Sequence, residues 1–313
     1  MSRVLVTGGA GFIGSHLAEA LLARGDEVTV LDNLQTGLRE NVPDGARLVV
    51  GNVAEAETVL ETARIGFDAV LHVAGQASIS RSFDDPGSDL AVNVGGTLNV
   101  LRACRELSIP RLVYASSMTV YGEPDVTPTP ETAPCRPVSY YGVTKYAAEC
   151  YVQISSALPD IPLAATSLRM FNVYGERQSL DNPYQGVLAI FLGNVLRGEP
   201  LTIHSDGRQT RDFVYVGDVV AAWLAVLDSE AAYGKIFNVG SGRETSIGEL
   251  ADAVLAANGH SRETWPVRTG EVQRGDQRRS LADTSSIERV LGWRPTVPLD
   301  AGMERTVQWA RAT

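Results

Sequence analysis

Cysteine is scarce in this chain. Its three residues, Cys104, Cys135 and Cys150, lack metal-ligand spacing and cannot all pair with one another. Neither a disulfide framework nor a metal centre is therefore expected. Basic residues are outnumbered, 27 Lys and Arg against 37 Asp and Glu, for a formal charge of −10. That balance argues against a nucleic-acid partner held by phosphate neutralisation, although Arg274, Arg278 and Arg279 form a local cluster able to grip a small anion. No apolar run approaches the roughly 20 residues of a membrane helix. Ahead of the first expected strand stand Met1, Ser2 and Arg3, which leaves no room for a signal peptide. The expectation is a cytoplasmic protein that handles small molecules.

What is present is the composition of a folded chain: 44% hydrophobic and 20% charged over 313 residues, enough for one large or two coupled domains. Short β-branched runs at 4–7, 27–31, 47–50, 69–73, 112–115 and 163–170 alternate with helical periodicity at 13–24, 55–64, 90–107 and 141–157. Such alternation predicts an α/β fold, a Rossmann-type doubly wound parallel sheet covered by helices on both faces. Right-handed crossovers then bring the strand C-termini to one edge, where ligands bind. Past Met170 the rhythm changes. A polar loop over 174–186 leads to a helix at 187–197, a strand and helix within 213–227, a short strand near 235–240, and helices at 247–257, 285–291 and 301–312. This second half predicts a smaller α/β domain interleaved with the first.

The stretch TGGAGFIG, residues 7–14, joins the first strand to the first helix. Gly8 permits the tight turn, Gly11 lets the backbone approach a pyrophosphate, and Gly14 lets the helix pack closely on the sheet. The helix N-terminus then offers free N–H groups and a partial positive charge to that anion. Asp32 ends the second strand, followed by Asn33 with no adjacent arginine. An acid there accepts from a ribose and repels a 2′-phosphate. The pattern seats a dinucleotide, preferably NAD.

Tyr141 and Lys145 stand four apart on one helical face. A phenol titrates near ~10; a neighbouring ammonium lowers that value and makes Tyr141 a usable proton acceptor. Ser116 and Ser117 follow the strand at 112–115, at the same sheet edge as the glycine loop. By spacing, either serine can hydrogen-bond the hydroxyl that Tyr141 deprotonates.

In chain order, TGGAGFIG, DN (32–33), HVAGQAS (72–78), NVGGT (93–97), SSMTVYG (116–122), YGVTK (141–145), FNVYG (171–175), GRQTRDFVYVGD (207–218) and FNVGSG (237–242) span almost the whole sequence. Together they resemble the extended short-chain dehydrogenases/reductases of the NAD-dependent nucleotide-sugar epimerase/dehydratase family, and within it the UDP-hexose 4-epimerases. The resemblance implies an NAD-binding domain of 1–171 with about 212–240, and a nucleotide-sugar-binding domain of about 172–211 with 241–313. It implies Tyr141 as catalytic base, Lys145 as its electrostatic partner and ribose ligand, and Ser117 as the hydroxyl bridging to the sugar. It assigns to the cofactor Gly8, Gly11, Phe12, Ile13, Gly14, Asp32, Asn33, Thr36, Gly37, Asn52, Val53, Val73, Ala74, Gly75, Gln76, Asn93, Ala115 and Met170, along with Tyr141 and Lys145. To the substrate it assigns Asn172 and Arg211 at the diphosphate, His204 against uracil, and Val187, Asp276 and Ser280, besides Ser117 and Tyr141.

Departures from the family pattern are informative. Asn52 replaces an aspartate, Ala77 a lysine and Gln273 an arginine, so Arg274 or Arg268 would serve the diphosphate. Met118 and Thr119 stand where relatives that eliminate water carry an acidic pair, and decarboxylating relatives tend to show a carboxylate in the same loop. The implied reaction is therefore 4-epimerisation of UDP-glucose and UDP-galactose through a 4-keto sugar. Ser280, small where some epimerases carry tyrosine, implies that N-acetylhexosamines are accepted too. The alternatives are a uronate epimerase, a decarboxylase or a 4-reductase on the same scaffold, or a non-enzymatic dinucleotide sensor. The family's pairing through the helices at 90–107 and 141–157 implies a homodimer, with Val100, Leu101, Cys104, Tyr146, Cys150, Tyr151 and Ile154 as the apolar surplus.

Overall fold

The computed structural model describes residues 1–159, 163–182, 186–271 and 277–312. Its strands are β1 (Arg3–Thr7), β2 (Glu27–Asp32), β3 (Arg47–Val50), β4 (Ala69–His72), β5 (Arg111–Ser117), β6 (Ala164–Met170), β7 (Asn172–Tyr174), β8 (Leu201–His204), β9 (Thr210–Arg211), β10 (Phe213–Tyr215), β11 (Ile236–Val239), β12 (Thr245–Ser246) and β13 (Val267–Gly270). The helices are α1 (Phe12–Ala23), α2 (Ala56–Ala63), α3 (Ile79–Asp84), α4 (Pro86–Leu90), α5 (Gly96–Glu106), α6 (Tyr140–Ala157), α7 (Val187–Leu196), α8 (Val216–Leu227), α9 (Ile247–Ala257), α10 (Ser285–Leu291) and α11 (Leu299–Ala312).

Seven strands form one sheet in the order β11-β6-β5-β4-β1-β2-β3, and every neighbouring pair is parallel. The chain runs outward from β1 to β3, then returns to place β4 against the other side of β1. The resulting switch point opens a crevice beyond the C-terminal ends of β1 and β4, the place where such sheets take ligands. Alternation along the strands supplies both faces. Val4 and Val6 of β1 pack with Leu17, Leu21 and Trp223 under α1 and α8. Leu5 faces the other way, with Val70, Leu112, Ala148 and Val152 under α2, α5 and α6. A third core joins α7, α9 and α11 through Phe191, Leu192, Leu250, Val254 and Met303.

Three expectations need adjustment. The helix expected at 90–107 is interrupted by a π turn at Ala91–Gly95, between α4 and α5. Such wide turns gather at functional sites, and this one carries Asn93. Ile287 and Trp293, expected with the smaller domain, belong to the core shared with α1 and α8; Trp293 Nε1 donates to the Asp218 carbonyl at 3.0 Å. Val100, Leu101 and Cys104 are also not surplus apolar surface, because all three are buried in the second core. The exposed large apolar residues on these helices are Leu90, Leu98, Tyr140, Val143, Tyr151 and Ile154. Among the described residues, no helix is long and apolar enough to cross a membrane.

Candidate active site

The glycine turn is built as its spacing requires. Gly8 has φ +73°, and a Cβ there would lie 2.7 Å from the Ala74 nitrogen; at Gly14 it would lie 2.1 Å from the Gly8 carbonyl oxygen. Helix α1 starts from Gly11 with no side-chain cap and no acid in its first turn, so its leading amides suit an anion. Asp32 is buried beside the turn. Its Oδ2 accepts from the Ala10 amide at 3.0 Å and its Oδ1 from the Leu34 amide at 2.9 Å. Each oxygen keeps a lone pair for a ribose hydroxyl. Phe12 and Ile13 open α1, and Gly37 closes onto Ala10, where a Cβ would come within 2.8 Å. That contact brings the segment from Asn33 through Thr36 beside the turn. Asn52 Oδ1 accepts from the Ala54 amide at 3.0 Å, and Val53 is buried beneath it.

Across the crevice, Asn93 grips the backbone of Gln76. Its Oδ1 accepts from the Gln76 amide at 2.9 Å, while its Nδ2 donates to the Gln76 carbonyl at 3.1 Å. The loop from Val73 through Ala74 to Gly75 is thereby fixed, and Ala74 also donates to the Thr7 carbonyl at 3.0 Å. A Cβ on Gly75 would stand 3.7 Å from Lys145 Nζ, so the cofactor loop and the lysine of α6 face each other. Ala115 and Met170 are buried on the neighbouring strands.

Helix α6 starts at Ser139, whose hydroxyl caps the Gly142 amide at 3.1 Å. That start aims Tyr141 and Lys145 at the end of β5. Lys145 is buried with its Nζ 4.7 Å from the Tyr114 ring centroid. Burial lowers its pKa to about 8, against the raising influence of Asp89 and Glu149. Tyr141 departs from expectation: burial pushes its phenol up to about 12, while a hydrogen bond from Ser117 pulls it down and the charge of Asp89 adds to the rise. Desolvation of the phenolate is the largest influence on it.

The two serines separate cleanly. Ser116 Oγ donates to Glu149 Oε2 at 2.6 Å, whereas Ser117 stands beside Tyr141, near enough for its hydroxyl to lower the phenol pKa. Ser117 Oγ also accepts from Thr119 Oγ1 at 3.0 Å, which leaves its own proton for the phenol.

The expected substrate residues lie on the second half of the chain. Asn172 begins β7, Arg211 ends β9, and the Asn172 amide donates to the Asp212 carbonyl at 3.0 Å, so the pair shares one edge. Asn172 Oδ1 is buried without a partner among the described residues, an orphan of the kind a ligand satisfies. Val187 opens α7, and His204 ends β8 with Nδ1 2.8 Å from the Glu271 carbonyl. Ser280 is buried, its Oγ 3.5 Å from Met118 Sδ, beside a cavity of about 10 Å³. Asp276, Gln273 and Arg274 lie outside the described residues. Among the described residues, no group of three or more His, Cys, Asp and Glu is arranged to hold a metal.

Sequence reasoning missed several buried polar residues. Asp89 accepts from Gln76, Asn93 and Thr144. Glu149 pairs with Arg169 at 2.6 Å. His72 Nδ1 lies 2.7 Å from Thr7 Oγ1, and burial drives its pKa down to about 3. Asp212 receives the Ser241 amide at 2.6 Å and the Ala282 amide at 3.1 Å, tying three segments beside Arg211. Helical spacing offered a signal for two of them: Asp89 stands four before Asn93, and Glu149 four after Lys145.

A family model described as the NAD dependent epimerase/dehydratase family matches residues 4–240. The UDP-glucose 4-epimerase of Mycolicibacterium smegmatis is 39% identical, covering 99% of this chain and 98% of its own. The solved Thermus thermophilus UDP-glucose 4-epimerase in complex with NAD is 42% identical, with a TM-score of 0.92 and 99% of each chain covered. The Thermotoga maritima UDP-glucose 4-epimerase with UDP-glucose is 36% identical, with a TM-score of 0.94 and the same coverage.

Proposed function

This chain belongs to the NAD dependent epimerase/dehydratase family, and from that premise we propose that it interconverts UDP-glucose and UDP-galactose through a transient 4-keto sugar. The observation that carries the reading is Ser117, Tyr141 and Lys145 gathered at the sheet edge, with Met118 and Thr119 supplying no carboxylate after the serine. The Thr119 hydroxyl is engaged with Ser117, and no acid stands there to expel water from a 4-keto sugar.

The residues present fit NAD: the turn closes against Ala74 where a Cβ at Gly8 would collide, and Asp32 sits beside it. Gly8, Gly11 and Gly14 with the start of α1 would hold the pyrophosphate, Asp32 a ribose, and the Ala74–Gln76 backbone and Lys145 the nicotinamide half. When bound, NAD supplies the acceptor and donor of hydride at C4. Tyr141 Oη takes the C4 hydroxyl proton and later returns it. Ser117 donates to the phenolate and keeps the sugar hydroxyl aligned, and the Lys145 ammonium favours the negative phenolate. Asn172 and Arg211 would grip the diphosphate while the keto sugar turns over, a task suited to an amide and a guanidinium fork.

The same reading includes a homodimer through the outward apolar residues of α5 and α6, a cytoplasmic location, and acceptance of N-acetylhexosamines beside Ser280. It also includes two units, the sheet unit and one around the third core, with 285–293 reassigned to the sheet unit because Ile287 and Trp293 pack there. Purified protein incubated with a panel of UDP-sugars, its products resolved by chromatography, tests the function. Tyr141→Phe should keep its fold and bound NAD and lose about 10²–10⁴-fold in turnover. Near-parent turnover in that variant overturns the mechanism.

A further inference from the structure

Three segments of the chain converge on one carboxylate carried by a fourth. Asp89, on the short helix α4, is fully buried. Its Oδ2 accepts from Thr144 Oγ1 at 2.6 Å; its Oδ1 accepts from Gln76 Nε2 at 2.7 Å and from Asn93 Nδ2 at 3.1 Å. Asn93 Nδ2 also reaches Thr144 Oγ1 at 3.1 Å, closing the ring. Two of these partners face the cofactor crevice: Gln76 ends the loop after β4, and Asn93, on the π turn, holds that loop. The third, Thr144, sits on α6 directly before Lys145 and one turn after Tyr141.

The chemistry of the anchor is specific. An ionised carboxylate only accepts, and each of the three groups facing it donates. Burying a charge is costly unless donors or an opposite charge compensate it. Burial does push the Asp89 pKa up, and the bonds from Thr144 and Gln76 with the charge of Lys145 pull it back. A residue kept for packing alone would not need three donors. Asparagine at this position would keep one oxygen for Gln76 and Asn93 but turn an NH2 to Thr144, whose hydroxyl could then no longer donate to it.

We propose that Asp89 is a positioning residue: its carboxylate fixes α6, and with it Tyr141 and Lys145, to the Gln76–Asn93 arm that carries the cofactor. The roles of Tyr141 and Lys145 in this inference rest on the epimerase reading; the joining of cofactor arm to helix does not. Catalysis depends on placement at this scale, since a displacement of about 1 Å can cost about 10²-fold in rate. The substrate diphosphate residues, Asn172 and Arg211, lie on other strands, so loosening the ring leaves substrate affinity in place.

The test compares the parent with Asp89→Asn, Thr144→Val and Thr144→Ser. For each, NAD per subunit after purification, kcat, and KM for UDP-glucose are measured. Asp89→Asn should lose about 10-fold in NAD affinity and about 30-fold or more in kcat, with KM within about 3-fold of the parent. Thr144→Val should lose about 10-fold in kcat, and Thr144→Ser, which keeps the hydroxyl, should restore it. Parent-like NAD content and kcat in Asp89→Asn overturn the proposal, as does a loss that appears in KM alone. Should Asp89→Asn not fold, the Thr144 pair decides: a Val variant with parent kcat overturns it, and a low Val with a restored Ser supports it. If the parent turns over no UDP-hexose, the epimerase reading falls. The NAD content of the Asp89 or Thr144 variants against the parent then decides the inference by itself, and parent-like NAD content overturns it.

Discussion

Ser116 Oγ donates to Glu149 Oε2 at 2.6 Å, while the adjacent Ser117 turns to the opposite side of β5 and stands beside the Tyr141 phenol, whose pKa it lowers. Successive residues of a strand point to opposite faces, so two neighbouring hydroxyls have separate duties. Ser116 secures α6 to the sheet. Ser117 serves the phenol.

Replacing each serine by alanine should separate these duties. Ser117→Ala removes a hydrogen bond to a developing phenolate, a charged bond of about 1.5–3 kcal/mol, and turnover should fall about 10–100-fold. Ser116→Ala removes a buried partner of Glu149 and should lower stability by about 1–3 kcal/mol with turnover near the parent. Steady-state kinetics and urea unfolding of the two variants check this, and the assignment fails if the effects are reversed.

Glu149 meets a second obligation in Arg169, whose Nη2 lies 2.6 Å from Glu149 Oε1, with both side chains almost wholly enclosed. Burial alone would lower the pKa of that guanidinium, and the hydrogen bonds and charge of Glu149 instead hold it above the usual value. Glu149→Gln leaves Arg169 as an uncompensated buried charge, which should cost about 3–5 kcal/mol. Adding Arg169→Met to that variant removes the stranded charge and should recover part of the loss. Urea midpoints of the single and double variants provide the comparison; a double variant less stable than Glu149→Gln would refute the account.

Lys145 carries a cost of its own. Burial lowers its pKa from 10.5 to about 8 despite Asp89 and Glu149, so the unfolded chain holds this proton more tightly than the folded one. The penalty is complete below pH about 8, fades as pH rises from about 8 to 10.5, and is absent above that. The shift corresponds to at most about 3.5 kcal/mol. With NAD removed from both proteins, Lys145→Met should be more stable than the parent by about 1–3 kcal/mol at pH 7, and the gap should shrink toward pH 10. Urea denaturation at the two pH values measures it. A variant less stable at pH 7 would mean that Asp89 and Glu149 depend on the ammonium more than its burial costs.

The glycine turn and the Tyr141–Lys145 pair were legible because their constraints are local. Gly8 and Gly14 are spaced by the turn itself, and an i,i+4 pair shares a face on any helix. The parallel sheet was legible through the alternation of short strands with helices. The i,i+4 spacing of Asp89 and Asn93 was there to read, but the ring was not, since Gln76 and Thr144 meet Asp89 only once α4, the π turn and α6 have packed. The Tyr141 phenol was only half legible for a related reason: sequence spacing reveals a nearby charge, but not how far burial disfavours the phenolate. The core that α10 joins was not legible, because its amphipathic pattern states that Ile287 is buried, not against which core.

The last prediction concerns the breadth of substrate at Ser280. Serine there was expected to leave room for an acetamido group, but the residue is buried with its hydroxyl 3.5 Å from Met118 Sδ, and the adjoining cavity of about 10 Å³ stands at the threshold for a single water. If the sugar C2 substituent falls beside Ser280, room for an N-acetyl group would come from movement of Met118, whose unbranched thioether adapts readily to new neighbours. On this account UDP-N-acetylglucosamine is a substrate with a higher KM than UDP-glucose. Ser280→Ala should leave both sugars active, because no essential hydrogen bond is lost. Ser280→Tyr overfills the cavity at a cost of about 1–3 kcal/mol and pins Met118 in place, so N-acetylated sugars should be excluded while the plain hexoses still turn over. Chromatographic turnover assays with both sugar classes, run beside thermal melts of each variant, separate exclusion from unfolding. Equal loss of both classes in Ser280→Tyr, or a parent inactive on N-acetylated sugars, would remove Ser280 from the specificity of this site.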